Sequence, residues 1–224
     1  PFRHICTPRT TVVPNARIFG AALYDFGNMT FPEFLELSAE SKGLCIHACF
    51  QQMSLVESTY RSIHHFPRDA DTYFASYTTI ENEETLERFF DDCPFETNIE
   101  EAKSALKGNM KRTKIMNRDF FRRIKPDDVE FCALLGLAFW SNGLACVNDE
   151  LSAAAQKIRG VILKEMHVVY KSRGIADYAT RLGELFCLLD NLEEDVSLTA
   201  QDIEVFRLLN LWNEAFQVTD PKED

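Results

Sequence analysis

Hydrophobic side chains recur along most of this chain at spacings of three and four, the period of a helix with one buried face. Between residues 15 and 31, Ile18, Ala22, Leu23, Phe26 and Met29 keep that period, and Pro14 stands where a helix begins. Pro32 predicts a bend. Ser38, followed by Glu40 and Ser41, predicts the cap of a second helix. Its run 44–63 is apolar on most sides, which suits an element in the middle of a sandwich. Residues 66–80 change character: Pro67, several aspartates and then the β-prone stretch TYFASYTTI predict a short hairpin, the one non-helical element expected. Helices follow at 81–92 and 98–124, with breaks predicted near Pro94 and Gly108. Two stronger ones span 127–140, opened by Pro126-Asp127-Asp128, and 148–172, closed by Gly174. A last helix covers 177–210, with Thr199 placed to recap it after an interruption at Leu198.

Composition narrows this to one all-α domain. The chain has 224 residues, 46% of them hydrophobic, with 18 Phe to fill a deep core and only 9 Gly and 8 Pro, too few for many short strands and turns. The first 14 residues carry three prolines and no period, so they read as a lead-in. Residues 15–216 form the domain and 217–224 a tail. A net charge of -11 offers no field for a phosphate backbone, so contact with DNA is expected only through another domain. No stretch approaches the roughly 20 apolar residues that cross a bilayer, and the opening lacks the apolar core of a signal peptide.

Candidate chemistry is sparse. Seven cysteines (Cys6, Cys45, Cys49, Cys93, Cys132, Cys146 and Cys187) are scattered without CxxC spacing, which predicts a reducing compartment. Cys45 and Cys49, four apart, read as small buried hydrophobes, since no histidine pair accompanies them at ligand spacing. No metal site is expected. Asp91-Asp92 and the segment Asn148-Asp149-Glu150-Leu151-Ser152 invite comparison with the magnesium-binding motifs of terpene synthases. However, Cys93-Pro94-Phe95 follows the first, and Gln156 stands where the second needs a carboxylate. His64-His65 has no nucleophile or fixed carboxylate around it, and nucleophile-elbow and phosphate-loop motifs are absent. No catalytic residue is predicted and the chain is not expected to be an enzyme.

The segment FPEFLELSAES at 31–41 resembles the signature of nuclear receptor ligand-binding domains, W-A-K-x-x-P-x-F-x-x-L-x-x-x-D-Q-x-x-L-L-[KR], with Pro32, Phe34 and Leu37 in place. Tyr60-Arg61-Ser62-Ile63 is similar to the end of the fifth helix of the retinoid X receptor. Asp128 to Leu135, Gln156 to Tyr170 and Arg181 to Leu192 resemble the eighth, ninth and tenth family helices. The ordered set covers about residues 15 to 210. Its style is most similar to nematode receptors derived from hepatocyte nuclear factor four.

That resemblance implies a three-layer antiparallel helical sandwich with a small β-ribbon, a lipophilic and fatty-acid-like ligand, co-regulator proteins, a homo- or heterodimer partner and a place in the nucleus. It implies no cofactor in this domain, zinc being expected only in a DNA-binding domain outside the chain. Arg61 matches an arginine that receives ligand carboxylates; the alternative is that it neutralises Glu57, four residues earlier. Leu23, Phe26, Met53, Val56, Tyr60, Phe74, Met110 and Phe206 are pocket positions by register. In the co-regulator groove the family lysine falls at Met29, the Asp-Gln pair at Ser41-Lys42 and a basic residue at His47. Residues 211–216, with Glu214, fit the activation-helix pattern or else continue the preceding helix. Glu130 and Arg181 occupy positions the family often joins as a salt bridge, and Leu182, Leu185, Phe186 and Leu189 resemble its dimer seam. The alternative function is a ligand-independent receptor domain that acts as a scaffold for dimerisation and co-regulators.

Overall fold

The computed structural model describes residues 12–76, 79–89, 99–141, 143–144 and 147–208, with 12–13 and 202–208 described as backbone. Helix α1 (Val12–Thr30) starts three residues before the expected point, placing Pro14 inside its first turn, where a missing N–H costs nothing. Phe19 and Leu23 turn inward. Phe31 is extended ahead of Pro32, as the residue before proline prefers, and the short α2 (Pro32–Glu36) follows. The Ser38 side chain then caps α3 (Ala39–His65) by accepting from the Ser41 amide.

α3 is the central element. Cys45, Cys49, Met53 and Val56 are buried along it, and it packs against α7, α1 and α9. Both cysteines are free thiols. After α3 the strands β1 (Tyr73–Phe74) and β2 (Ile80–Glu81) pair antiparallel, Tyr73 with Glu81 and Phe74 with Ile80. A reciprocal cap between Asn82 and Thr85 opens α4 (Glu83–Glu87).

The break expected at Gly108 is absent, and α5 runs through it (Ile99–Thr113). The irregularity falls instead at Lys114–Arg118, a π-helical turn that leads into α6 (Asp119–Ile124). Lys125, left-handed at φ 49, ends α6 one residue before Pro126. Asp127 caps α7 (Asp128–Phe139) by accepting from the Val129 and Glu130 amides, and Glu130 returns a bond to the Asp127 amide. Asn148 caps α8 (Asp149–Ser172). That helix stops at Gly174, whose φ of 68 lets the Ile175 amide reach back to the Tyr170 carbonyl. α9 (Tyr178–Leu208) continues without the interruption expected at Leu198. Thr199 is not a cap; its hydroxyl accepts from Asn109 on α5.

The result is a three-layer antiparallel helical sandwich with a two-stranded ribbon, in which α3 and α7 run antiparallel through the middle. At one end of α3 the signature residues Phe31 and Phe34 meet Phe139 and Trp140, all buried. Gly27 makes this approach possible: a Cβ there would sit 2.8 Å from both Phe34 and Phe139 ring carbons. At the other end, Tyr60 stacks on Phe131 of α7 at 3.6 Å, and the hairpin closes over the helix.

Candidate functional site

The C-terminal third of α3 presents Glu57 and Arg61 one turn apart, and they pair: Arg61 Nε lies 2.7 Å from Glu57 Oε1, and Nη2 donates to Oε2 at 3.1 Å. The same Nη2 donates to the Ser76 carbonyl at 2.9 Å, while the guanidinium lies 3.9 Å from the centre of the Phe74 ring. A second tie holds the ribbon to the helix, since the Phe74 amide donates to the Ser62 hydroxyl. Arg61 therefore couples α3 to the hairpin with its charge balanced by its own helix.

Consecutive strand residues face opposite sides, and β1 carries an arginine on each. Arg118, from the π-helical turn, lies 4.3 Å over the Tyr73 ring. Tyr73 in turn donates to Glu81 across the ribbon at 2.6 Å. Burial pushes the Glu81 carboxyl and the Tyr73 hydroxyl up from their ordinary pKa values. Deeper still, Asp195 of α9 is wholly buried and accepts from Arg112, Thr113 and Asn117. These polar groups all come from α5, the π turn, α9 and the ribbon.

The pocket positions expected by register divide. Leu23, Met53 and Val56 are buried in the main core and Phe74 at the ribbon. Met110 is half-buried and its carbonyl accepts from Arg118. Phe26 belongs elsewhere, edge-on to Phe31 and Phe139. Tyr60 also turns away, towards α7, where its hydroxyl donates to Asp128 at 2.6 Å; burial and that carboxylate push its pKa up to about 12. The Phe206 side chain lies outside the described residues, as do Glu214, the segment 211–216 and the tail. The same holds for Asp91-Asp92.

On the co-regulator side, Met29 is 87% exposed, an uncharged side chain at the lip of α1. Lys42 is held by the Leu35 carbonyl at 3.1 Å, and His47 is exposed. Of the second magnesium-like segment, Asn148 is a cap. Glu150 accepts from the Ser38 amide and from the Ser38 and Ser41 hydroxyls, tying α8 to the start of α3.

Arg181 and Glu130 form a two-point ion pair, Nε to Oε1 and Nη2 to Oε2 at 2.7 Å each, and Tyr170 adds a third bond to the carboxylate. Burial alone would raise Glu130, but the bonds from Arg181, the Asp127 amide and Tyr170 outweigh it and hold the group below its ordinary range. The four residues of the expected dimer seam pack against the domain's own core. Leu185 and Leu189 are buried in it, while Leu182 and Phe186 lie at its margin, half-buried. The outward face of that part of α9 carries Gly183, Cys187 and Asp190.

Sequence reasoning missed Arg118, Arg122, Tyr73, Glu81 and Asp195. The four-residue spacing of Arg118 and Arg122 was visible, but a π turn displaces every face beyond it, so a constant helical period cannot project these arginines onto the ribbon.

The class defined by this sandwich and ribbon is matched by the family described as the ligand-binding domain of nuclear hormone receptor, over residues 23–209. The chain belongs to that family. Its similar relatives include three Caenorhabditis elegans proteins: nuclear hormone receptor family member nhr-57 (26% identical, 90% of this chain and 55% of the relative), the high zinc activated nuclear receptor protein (23%, 89% and 50%) and nuclear hormone receptor family member nhr-12 (23%, 84% and 42%). The chain spans about half the length of these relatives. Domains of this family regulate transcription and are not enzymes. Among the described residues no helix is long and apolar enough to cross a membrane.

Proposed function

We propose that this domain serves a nuclear transcription factor by binding a lipophilic acid and changing which partner proteins the factor recruits. One observation carries the acid: in a chain of net charge -11, the hairpin end gathers Arg61, Arg118 and Arg122 around half-buried and buried aromatic residues. Cations concentrated beside apolar surface suit an amphiphile with an anionic head. Co-regulator binding through α1 and α3 uses a lip where Met29 supplies no charge, so a helical partner is held there by apolar contact and not by a lysine clamp. Dimerisation through α9 uses its outward face around Cys187 and Asp190.

Native mass spectrometry of the delipidated domain with oleate tests the ligand. A one-to-one adduct that oleyl alcohol forms less readily is the expected result; no adduct with any long-chain acid overturns it. A second reading, a ligand-independent scaffold, is favoured by the Arg61–Glu57 pair, which balances the charge of that arginine without a ligand. That reading predicts partner binding unchanged by added lipid.

A further inference from the structure

Lys114, Arg118 and Arg122, spaced four apart, form one basic stripe, and all three reach the loop 66–71 between α3 and β1. Lys114 pairs with Asp71 at 2.5 Å. Arg118 Nη1 donates to the Ala70 carbonyl at 3.3 Å. Arg122 Nη2 donates to the carbonyls of Phe66 and Asp69 at 3.3 and 3.0 Å. Backbone carbonyls orient a guanidinium but do not neutralise it.

The acids nearby leave Arg118 without a paired counter-charge. Asp71 is taken by Lys114, and Asp119 lies 3.7 Å from Arg122 Nη1, beyond hydrogen-bonding distance. Glu81 acts on Arg118 only at longer range; it is bonded to Tyr73, and burial raises its pKa. Among the described residues no carboxylate lies within 4 Å of Arg118, which is only 3% exposed. Two buried donors on these guanidiniums make no hydrogen bond, Arg118 Nε and Arg122 Nη1, the second keeping only its looser ion pair to Asp119. Burial lowers the Arg118 pKa and Arg122 adds to the lowering, as expected for a cation short of counter-charge. Arg61 differs in having its counter-charge at hand, with one hydrogen bond from Nη2 to Glu57 and Nε 2.7 Å from the same carboxylate.

We propose that Arg118, with Arg122 beside it, is the site that takes an anionic head group, a carboxylate or a phosphate monoester, while Arg61 holds the hairpin to α3. This rests on the lipophilic-acid reading above and names the residues that would receive the acid. An anion accepting from Arg118 Nε and Arg122 Nη1 satisfies both spare donors and offsets the repulsion between two guanidiniums one turn apart. The Tyr73 ring beneath Arg118 keeps the guanidinium plane fixed while the head group changes.

The test measures binding of oleate, oleyl phosphate and oleyl alcohol to the delipidated domain, with acetate and inorganic phosphate as head groups without chains. Arg118→Met should weaken oleate by roughly 10- to 100-fold, the value of a charge-assisted bond, and leave oleyl alcohol within about 2-fold. Arg118→Lys should restore part of the loss, and Arg61→Met should weaken acid and alcohol alike by loosening the ribbon. If Arg118→Met does not fold, as judged by circular dichroism, Arg122→Met must show the same selective loss of acid. Oleate affinity that falls in Arg61→Met but not in the Arg118 and Arg122 variants overturns this assignment and leaves the proposed function standing. A wild-type domain that binds the alcohol as well as the acid, or binds neither, overturns both. Saturation by acetate or phosphate alone, with no gain from a chain, makes the site one for small anions and also overturns the proposal.

Discussion

At one end of α3, Phe31, Phe34, Phe139 and Trp140 pack ring against ring with centroids 5.3 to 6.4 Å apart, and even the Trp140 indole N–H goes without an acceptor. At the other end, Arg61, Arg118, Arg122, Glu81 and Asp195 are embedded in carbonyls, ring faces and one another. The first end is held by contact area, which is non-directional and additive over many atoms. The second is held by directed bonds to charges whose removal from water is costly. Specificity therefore has more room at the second end than at the first. An apolar cluster accepts any filling of the right volume, whereas under the proposed assignment the buried donors at the hairpin would discriminate between an acid and an alcohol.

Three substitutions test that division, from the largest effect to the smallest. Phe34→Ala removes a fully buried ring from the aromatic end, and about 4 kcal/mol of stability should be lost in urea denaturation. If the two ends are independent, the ratio of acid to alcohol binding in this variant stays at the wild-type value. A changed ratio would mean that the ends are coupled through α3.

Glu130→Gln leaves Arg181 without its main counter-charge and should cost about 3 kcal/mol. Because the folded pKa of Glu130 lies below its unfolded value, the contribution is complete above about pH 4.5 and is lost as pH falls through the folded value. Urea midpoints should therefore drop on acidification more steeply in the wild type than in the variant. Equal slopes would remove Glu130 as a source of acid sensitivity.

The smallest effect is expected from Tyr60→Phe, which deletes the bond to Asp128 but keeps the stack on Phe131, at about 1 kcal/mol. Here the folded pKa is raised, to about 12, so the contribution is full below about pH 10 and fades as pH climbs towards 12. Thermal melts at pH 8 and 11 should show the gap between wild type and variant narrowing at the higher pH.

Much of the helical frame was legible in the sequence, because it follows from period and punctuation. Pro32 ends α1, Asp127 and Asn148 cap α7 and α8, and Gly174 closes α8, each acting through local chemistry that needs no knowledge of the rest. The hairpin end was less legible. Register placed Tyr60 in a pocket, but its ring stacks on Phe131 of α7, a partner that the helical period alone does not reveal. Likewise, an apolar stripe on α9 does not reveal which neighbour covers it, and the domain's own core does so. Tertiary ties such as Asn109 to Thr199, 90 residues apart, leave no local pattern; a threonine that reads as a cap is used as a bolt between helices.

The π-helical turn at Lys114–Arg118 has an evolutionary consequence. Such a turn holds one residue more than an α-helical turn, so it can arise or vanish by a single-codon insertion or deletion. A relative lacking that residue would keep α5 and α6 end to end, yet rotate one relative to the other by roughly 100°. Its basic stripe would then point away from the loop after α3. Counting residues between the positions of Met110 and Phe121 in other receptors thus offers a quick way to sort those able to build this arginine cluster from those that share only the fold.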